Sequence, residues 1–472
     1  MSNLIVTINP ATGKEIQTYE GWTVEHVNTA VDGAYAAAKA WGLQPLESRI
    51  AAVRRIAEQL RAQKIPFAQL ITAEMGKPLA EAAGEMEKSA VTALYYADNA
   101  HTILSDEKVA IEGADAWVSY EPIGLVLAVM PWNFPVWQVM RFALPAIVSG
   151  NGNGNGNGNG NGILLKHSPN VTGTALALEK LLRDAGVPQH LLTTLVIAES
   201  EVPTTIDRLI HDDRIAAVTL TGSNRAGAAV GAAAGRAFKK SVLELGGSDA
   251  FIVLDDADIT TAAAMAVKAR YNNAGQSCVC AKRFIVAESV AEAFIRKFIE
   301  GAKALQVGDP REPQVQVGPL ARSDLRDALQ RQIEQSVAAG GQLLLGGQAG
   351  NGPGYFFKPT VVANAGPGMA VFDEETFGPV AAIAIAKDDA DAIRLANATQ
   401  FGLSMSIWTA STERGIRLAK QVTTGAAFIN AVTASDARIP FGGTKRSGYG
   451  RELAAAGARE FCNIRTFWSA VK

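Results

Sequence analysis

The chain has 472 residues, of which 48% are hydrophobic and 19% are charged, and its formal net charge is −2. Because a single core rarely grows past ~250–300 residues, this length predicts two or more domains, and the composition excludes wholesale disorder. The near-neutral charge argues against nucleic acid or an anionic membrane as the main partner. No apolar run approaches the ~18–20 residues of a membrane span. Three cysteines and an N-terminus without signal-peptide features favour a reducing, cytoplasmic location.

Helical spacing is the main pattern of the first hundred residues. Apolar residues recur at helical intervals between Ala30 and Trp41, and a second amphipathic stretch covers 48–63. Short apolar runs then alternate with longer helical patterns, as in a parallel sheet with right-handed crossovers. Strands are predicted at 125–130, 163–166, 192–197, 216–221 and 242–245, and the helices between them at 136–148, 172–185, 203–210 and 225–235.

A second alternating series begins at 251–254 and runs past 428–430. It continues with a predicted helix at 259–271, a strand at 284–286 and a helix at 290–305. Two such series predict an α/β fold with two parallel, Rossmann-like domains side by side. Ligands of such sheets bind outside the carboxyl ends of the strands, so the cleft between the domains is the expected site.

A Gly-Asn alternation from Gly150 to Gly162 holds seven of the 45 glycines and no apolar side chain. Both residue types tolerate positive φ, so the sequence predicts a flexible surface loop. A slipped short repeat without function is the plainer interpretation, and a functional lid is the alternative. Since loop-closure entropy grows only logarithmically, the insertion costs on the order of 1 kcal/mol or less.

Three candidate catalytic residues stand beside predicted strands. Cys278 precedes a strand and is a candidate nucleophile, although a buried, inert cysteine is the alternative. Glu244 ends an apolar strand just before Gly-Gly and is a candidate general base, with a cap or salt bridge as the alternative. Asn133 follows another strand, where its amide can stabilise an oxyanion or simply belong to a rigid turn.

Other chemistries lack their motifs in this sequence. None of the five histidines lies in a motif comparable to those around the candidate residues, so a carboxylate base is favoured over the imidazole of a cysteine hydrolase. Cys278 and Cys280 have no second ligand pair for a metal, so no metal site is expected. The Walker motif and G-x-G-x-x-G are absent, so a nicotinamide cofactor cannot be argued from a fingerprint.

Seven segments, in chain order, resemble the motifs of the aldehyde dehydrogenase superfamily, and together they cover essentially the whole chain. They are 131–135 (Pro-Trp-Asn-Phe-Pro), 165–166 (Leu-Lys), 221–223 (Thr-Gly-Ser), 244–247 (Glu-Leu-Gly-Gly), 275–278 (Gly-Gln-Ser-Cys), 375–379 (Glu-Thr-Phe-Gly-Pro) and 440–452 (Pro-Phe-Gly-Gly to Gly-Arg-Glu).

This resemblance implies a mechanism and a cofactor site. Cys278 would attack an aldehyde carbon, with Asn133 and the Cys278 backbone N–H as oxyanion donors, and hydride would leave to a nicotinamide. Glu244 would activate the water that hydrolyses the thioester, so its presence favours a free acid over acyl transfer to coenzyme A. The cofactor-binding residues implied by the resemblance are Trp132, Lys166, Ser168, Ser223, Glu375 and Phe377.

The chain departs from the family after Lys166. Relatives often have a glutamate that grips the adenosine ribose three residues later, whereas this chain has Pro169. Without that carboxylate a 2′-phosphate is not repelled, so both NAD and NADP are expected to be usable.

Substrate recognition is assigned by a further resemblance, to bacterial succinate-semialdehyde dehydrogenases. Arg141 matches the position that those enzymes use for the substrate carboxylate, and a structural salt bridge is the alternative. A second arginine of that branch is replaced by Asn272, and Ser435 and Arg438 are candidate substitutes. Glutarate semialdehyde differs by one methylene, worth only ~1–3 kcal/mol. Neutral or cationic aldehydes, or a catalytically silent protein, are further alternatives.

The resemblance also predicts the domain organisation. Residues 1–108 and 125–245 form the cofactor-binding domain, and 246–440 the catalytic domain. The segments 109–124 and 455–472 are expected to be oligomerisation strands of a homodimer or homotetramer, because apolar and polar side chains alternate over 109–120 and 461–471. Cys280, two residues from Cys278, is either a passive core residue or a partner for a reversible disulfide.

Overall fold

The chain begins with an antiparallel hairpin, not with the helix that the spacing of the first hundred residues suggested. The structure, a computed structural model, describes residues 3–149, 160–350 and 352–470. Strands β1 (Leu4–Asn9) and β2 (Lys14–Glu20) pair directly. β1 alternates exposed and buried residues, and Ile5 is buried. This period-two pattern of β-branched residues is a strand signal that the helical analysis missed.

Helices follow the hairpin, and then an alternating series that matches most of the predicted elements. The helices are α1 (Val24–Gly42), α2 (Leu46–Ala62), α3 (Lys64–Met75) and α4 (Leu79–Leu104), followed by strands β3 (Glu107–Ile111) and β4 (Ala114–Pro122). The alternating series is β5 (Leu125–Met130), α5 (Trp137–Val148), β6 (Gly162–His167), α6 (Thr172–Asp184), β7 (Leu192–Thr194), α7 (Val202–Ile210), β8 (Ile215–Thr221), α8 (Asn224–Arg236) and β9 (Lys240–Glu244).

A second alternating series and a short C-terminal segment complete the described chain. The series is β10 (Asp249–Val253), α9 (Ile259–Tyr271), β11 (Ala281–Ala287), α10 (Glu288–Ala304), α11 (Ser323–Ala338), β12 (Gln342–Leu345), β13 (Thr360–Ala363), α12 (Ala370–Asp373), β14 (Val380–Ala386), α13 (Asp389–Asn397), β15 (Ser404–Trp408), α14 (Thr412–Ala419) and β16 (Ala426–Ile429). The C-terminal elements are β17 (Gly448–Tyr449), α15 (Ala454–Arg459) and β18 (Cys462–Ala470).

Two sheets, each with helices packed on it, confirm the α/β class predicted from the alternation. The first has the strand order β17-β9-β8-β5-β6-β7, and the pairs from β9 to β7 are parallel. The second has the order β12-β13-β14-β11-β10-β15-β16, parallel from β13 onward. In the first sheet, β7 ends at Thr194 instead of continuing to residue 197 as predicted. Beyond it the carbonyl of Val196 accepts a hydrogen bond from the backbone N–H of Trp22.

The strands predicted for oligomerisation form a small antiparallel sheet of order β18-β4-β3. The tail predicted as a strand from residue 455 begins instead with the helix α15, and β18 starts only at Cys462. The difference follows from Leu453 and Ala454, whose φ values of 65° and 51° turn the chain before the Ala-rich segment. No helix within the described ranges is long and apolar enough to span a bilayer.

The Gly-Asn tract is described only at its C-terminal end. The flexible loop predicted for 150–162 therefore lies mostly outside the described residues. Its last residues are buried: the Asn161 side chain accepts from the backbone N–H groups of Ile123 and Gly124 and donates to the carbonyl of Phe461. This end of the tract thus connects β6 to the loop before β5 and to the turn before β18.

Candidate active site

The segment that carries Cys278 is a left-handed turn between α9 and β11. Asn273, Ala274 and Gly275 have φ values of 50°, 52° and 74°. A Cβ on Gly275 would lie 2.3 Å from the carbonyl oxygen of Gly378, so only glycine fits this path.

A buried arginine and an asparagine hold this turn in place. The Arg270 guanidinium is fully buried and donates to the carbonyls of Ala281 and Thr376, at 3.0 and 3.2 Å. Because strained backbone persists only where its surroundings fix it, this network maintains the position of Cys278. The asparagine is Asn273, whose amide donates to the backbone carbonyl of Asn133 at 3.0 Å.

Asn133 reaches this turn from the end of β5. Its Nδ2 donates to the carbonyl of Gln276 at 3.0 Å, and its side chain is buried. One amide hydrogen is therefore used to fix the side chain, and the second is left for a ligand oxygen. A pre-positioned amide donor beside a candidate nucleophile is the arrangement that oxyanion stabilisation requires.

The thiol of Cys278 is held in its protonated form. Burial raises its pKa to about 12, and the positive charges of Arg141 and Lys282 only partly oppose this effect. Lys282 donates to the carbonyls of Ser277 and Cys278, at 2.9 and 3.0 Å. A protonated thiol needs a base before it can act as a nucleophile.

Glu244 ends β9 and is buried, and it is not among the residues that line the two cavities beside Cys278 described below. Burial raises the pKa of its carboxyl well above the usual range, and the neighbouring Glu452 adds to the effect. Among the described residues, neither of its carboxyl oxygens has a hydrogen-bond partner. A Cβ on Gly442 would lie 2.8 Å from Glu244 Oε1, so glycine is needed to leave room for this side chain. An unpaired, desolvated carboxyl group is suited to proton transfer.

A cavity of about 370 Å³ lies at the carboxyl ends of β5, β6, β8 and β9. All of the predicted cofactor residues line it, namely Trp132, Lys166, Ser168, Ser223, Glu375 and Phe377. Ser223 caps α8 by accepting from the backbone N–H of Ala226, so a helix N-terminus faces the cavity. That end is favourable for phosphate groups. Cys278 also lines this cavity.

The remaining contacts give this cavity a polar wall and an aromatic wall. Glu375 accepts from the backbone N–H of Gly247 at 3.0 Å and lies 3.4 Å from Lys282 Nζ. The rings of Trp132 and Phe377 meet edge to face, with centroids 5.7 Å apart. Arg322 also lines the cavity, and the sequence analysis missed it because it lies in no recognised motif.

Lys166 is the cation that faces this cavity from β6. Burial lowers the pKa of its ammonium group to about 8, and Glu199 opposes the shift. The next residue is His167, which is buried. Its Nδ1 accepts from the backbone N–H of Ser168 and its Nε2 contacts the carbonyl of Pro135, both at 2.9 Å. His167 therefore joins the end of β6 to the Asn133 turn as a neutral imidazole.

A second cavity, of about 330 Å³, lies on the other side of Cys278. It is near the lower end of the ~300–1,000 Å³ typical of small-molecule sites. Arg141 and Ser435 line it, as predicted for substrate-binding residues. Arg438 does not belong to this lining: its side chain is 76% exposed and pairs with Asp436. A bidentate ion pair with a residue two positions earlier holds Arg438 at the surface.

Arg141 is engaged by protein groups. Its guanidinium forms an ion pair with Glu452 and donates to the Thr221 hydroxyl at 3.2 Å. The salt bridge that was the alternative for this residue is thus present. Lys88 and Cys280 also line the cavity, and neither was among the predicted site residues. The Cys280 thiol donates to the carbonyl of Asn272 and forms no bond to Cys278.

Comparison with known proteins identifies the family. The model of the aldehyde dehydrogenase family matches residues 2–467. The chain is 47% identical to the succinate semialdehyde dehydrogenase Sad of Escherichia coli K12, named for NAD(P)+, over 98% of this chain and 97% of that protein. It is 44% identical to an NADP+ succinate-semialdehyde dehydrogenase of Mycobacterium ulcerans, over 98% of this chain and 99% of that one.

Solved structures agree with this assignment. The succinic semialdehyde dehydrogenase of Streptococcus pyogenes, solved in complex with NADP+, superposes with a TM-score of 0.94. The two sequences are 34% identical, and the match covers 99% of this chain and 100% of that one. A second structure, of Gox0499, gives the same TM-score at 36% identity and 99% coverage of both chains. The chain belongs to the aldehyde dehydrogenase family.

Proposed function

We propose that this protein oxidises succinate semialdehyde to succinate with NAD+ or NADP+ as the hydride acceptor. The observation that carries the proposal is that Cys278 lines both cavities. A substrate in one cavity and a cofactor in the other would meet at its sulfur. The relatives named for this substrate support the same assignment.

The reaction begins at Cys278. Its sulfur forms a bond to the aldehyde carbon, and the carbonyl electron pair moves to the oxygen, where the Asn133 amide and the Cys278 backbone N–H stabilise it. The thiol must first lose its proton. Glu244 lies close enough for its charge to raise the pKa of Cys278, and it can accept this proton.

Hydrolysis completes the reaction. A nicotinamide cofactor held by the residues of the larger cavity would supply the hydride acceptor for the tetrahedral carbon, and Cys278 would then be left in a thioester. Glu244, after releasing the thiol proton to solvent, takes a proton from a water molecule that attacks the thioester carbon. The carbon–sulfur bond breaks, the acid leaves and the sulfur recovers a proton. The raised pKa of Glu244 makes its carboxylate a stronger base than an exposed one.

The residues around the larger cavity fit a dinucleotide. The N-terminus of α8 at Ser223 and the cations Lys166 and Arg322 suit its phosphates. A Cβ on Gly246 would lie 2.4 Å from Glu375 Oε2, so the glycine lets this carboxylate reach a ribose hydroxyl. Pro169 in place of a carboxylate removes a charge that would repel a 2′-phosphate, which supports use of both cofactors.

Reduced-nicotinamide formation tests this proposal. The purified protein would be assayed with succinate semialdehyde, butyraldehyde and betaine aldehyde, each with NAD+ and with NADP+. A higher kcat/KM for succinate semialdehyde than for butyraldehyde, with either cofactor, is expected. Equal values for the two would overturn the substrate assignment, and no reduction with any pair would overturn the function.

A neutral aldehyde is the second candidate substrate, because the ion pair of Arg141 with Glu452 removes one cation from substrate binding. The same assay decides between the two.

We also propose that the protein assembles through the β18-β4-β3 sheet. Ile464 and Trp468 on β18 are exposed by 61% and 60%, and an apolar strand edge of this kind is suited to pairing with another copy. Light scattering coupled to size exclusion would give a homodimer or homotetramer. All three cysteines lie in the described ranges without a disulfide, which suits a reducing compartment such as the cytoplasm.

A further inference from the structure

Lys88 lines the cavity on the substrate side of Cys278 and belongs to no motif. We propose that Lys88, together with Ser435, binds the carboxylate of the substrate in place of Arg141. This inference rests on the proposed function and names the residue that selects an ω-carboxylated aldehyde over a neutral one.

The Lys88 ammonium group is held in a defined position. Its Nζ donates to Ser435 Oγ at 2.6 Å and lies 4.3 Å from the centroid of the Trp137 ring. Because Ser435 accepts this bond, its own O–H can donate to a ligand. A carboxylate at this point would accept one hydrogen bond from the ammonium group and one from the hydroxyl, and charge-assisted bonds of this kind are strong.

The helix α4, which carries Lys88, is fixed against the start of α5. Glu85, one turn earlier on α4, is buried and accepts from the backbone N–H groups of Val136 and Trp137 at 2.8 and 2.9 Å. It also pairs with Lys77. A carboxylate at the start of α5 is favourable for the helix dipole, so α4 and α5 keep a constant relative position. Lys88 is therefore pre-organised for a ligand in the cavity.

The other cations near the cavity are less suited to this role. Arg141 is already paired with Glu452 in a buried ion pair, so a substrate carboxylate at this point would have to share the guanidinium group with Glu452. Arg438 pairs with Asp436 at the surface. Lys268 lines the cavity from α9, but it is exposed to solvent, where a single ion pair contributes little.

The acidic groups around Lys88 balance its positive charge only in part. Burial lowers the pKa of its ammonium group to about 8, Arg141 and Lys77 add to the shift, and Glu85 and Asp436 oppose it. Asp436 is itself engaged by Arg438, and Glu85 by Lys77. On the far wall Asp249 is buried, and burial raises the pKa of its carboxyl to about 7. A bound carboxylate would supply the counter-charge that these groups give only in part.

The test compares two substrates of equal carbon number in three variants. For Lys88→Met, kcat/KM with succinate semialdehyde should fall by roughly 10- to 100-fold, mainly through KM, because a charged hydrogen bond is lost. With butyraldehyde it should change by less than about threefold, since the methionine still covers Trp137. Lys88→Arg should keep most of the preference. Lys268→Met, which removes the same charge from another wall, is the matched control and should keep it as well.

The possible outcomes separate the inference from the proposed function. If the wild-type protein does not prefer succinate semialdehyde, the proposed function fails whatever the variants do. If the wild type prefers it and Lys88→Met keeps that preference, only the role of Lys88 is overturned. Equal losses with both aldehydes would also overturn it, because they indicate a structural role. If Lys88→Met does not fold, Ser435→Ala decides: a selective rise in KM for the semialdehyde supports the anchor, and an unchanged KM overturns it.

Discussion

Arg141 and Glu452 form an ion pair sealed from solvent, with side chains 3% and 1% exposed. The pair joins α5, which begins just after the turn that carries Asn133, to the segment that follows β17. Burial raises the pKa of the Glu452 carboxyl, and the positive charge of Arg141 opposes this shift without cancelling it. Arg141 therefore has a structural role whether or not it contacts the substrate.

Replacing Arg141 by methionine should lower the free energy of unfolding by about 3–5 kcal/mol, because it leaves a buried charge unpaired. Activity should fall to a similar extent with succinate semialdehyde and with butyraldehyde. Urea unfolding and the two-substrate assay measure these effects. Arg438→Met is the control, since it breaks an exposed pair worth ~0–1 kcal/mol. A stable Arg141→Met protein with a loss only for the semialdehyde would instead make Arg141 the anchor.

Alkylation of Cys278 in the cofactor-free protein should accelerate with pH without reaching a plateau near the pKa of a free thiol. Burial raises its pKa to about 12, so the thiolate fraction grows roughly tenfold per unit between about pH 7 and pH 9. Iodoacetamide labelling followed by peptide mass spectrometry measures the rate at this residue separately from Cys280. Saturation at about pH 8.5 would show that the cleft lowers the pKa.

Replacing Asn133 by alanine should reduce kcat by ~10²–10³-fold with a small change in KM, because the amide acts mainly on the oxyanion. Asn99→Ala is a matched control: this amide also donates to a backbone carbonyl, that of Tyr95, and lies outside the described cavities. Thermal midpoints of the two variants should be similar. A loss of stability in Asn133→Ala large enough to explain the rate would contradict a catalytic role.

His167 should make stability depend on pH. Its pKa is lowered to about 4 by burial, below the usual 6.5, so the neutral ring is favoured in the folded state. Its contribution is complete above about pH 6.5 and is lost as the pH falls toward 4. The difference in unfolding free energy between wild type and His167→Gln should therefore shrink over this interval.

Comparing each variant with the wild type isolates this effect. Burial raises the pKa of three other carboxyl groups to about 7, those of Glu74, Glu81 and Asp249. Keeping them ionised destabilises the folded state, and this cost falls as the pH drops through the same interval. Because the cost is the same in the wild type and in the variant, the difference between their unfolding free energies does not contain it. His101→Gln, at an exposed histidine, is the control. A difference that stays constant from about pH 7 to pH 4 would show that the ring is not held neutral.

The parts of the site that follow strands were predictable from local sequence. Asn133 and Glu244 were placed correctly at strand ends. In a parallel sheet, an apolar run followed by a polar residue and a turn predicts that this residue lies at the carboxyl end of a strand. Lys88 and Glu452 were not predictable in this way. Lys88 lies within a helix, and its contact with Ser435 spans 347 residues of sequence, so no local pattern can reveal it.

Arg141 shows a different limit of sequence reasoning. The sequence correctly predicted the helix that carries Arg141. Whether Arg141 is free or paired depends on Glu452, which lies far away in the sequence, in the segment that follows β17. The hairpin β1–β2 was missed for a simpler reason: its alternation is short and precedes a long helical region. The extent of β7 and the start of β18 depend on tertiary hydrogen bonds and on positive φ angles, neither of which periodicity reports.

The buried Asn161 has a consequence for how this gene segment can vary. Since the tract repeats every two residues, removing or adding whole Gly-Asn units always regenerates the same Gly-Asn-Gly triplet in front of Ile163. The side chain that contacts Gly124 and Phe461 is thereby replaced by an identical one. Replication slippage in steps of two codons leaves this anchor intact, whereas loss of the single codon for residue 161 or 162 puts glycine in its place. Natural length variants of the tract should therefore differ by even numbers of residues.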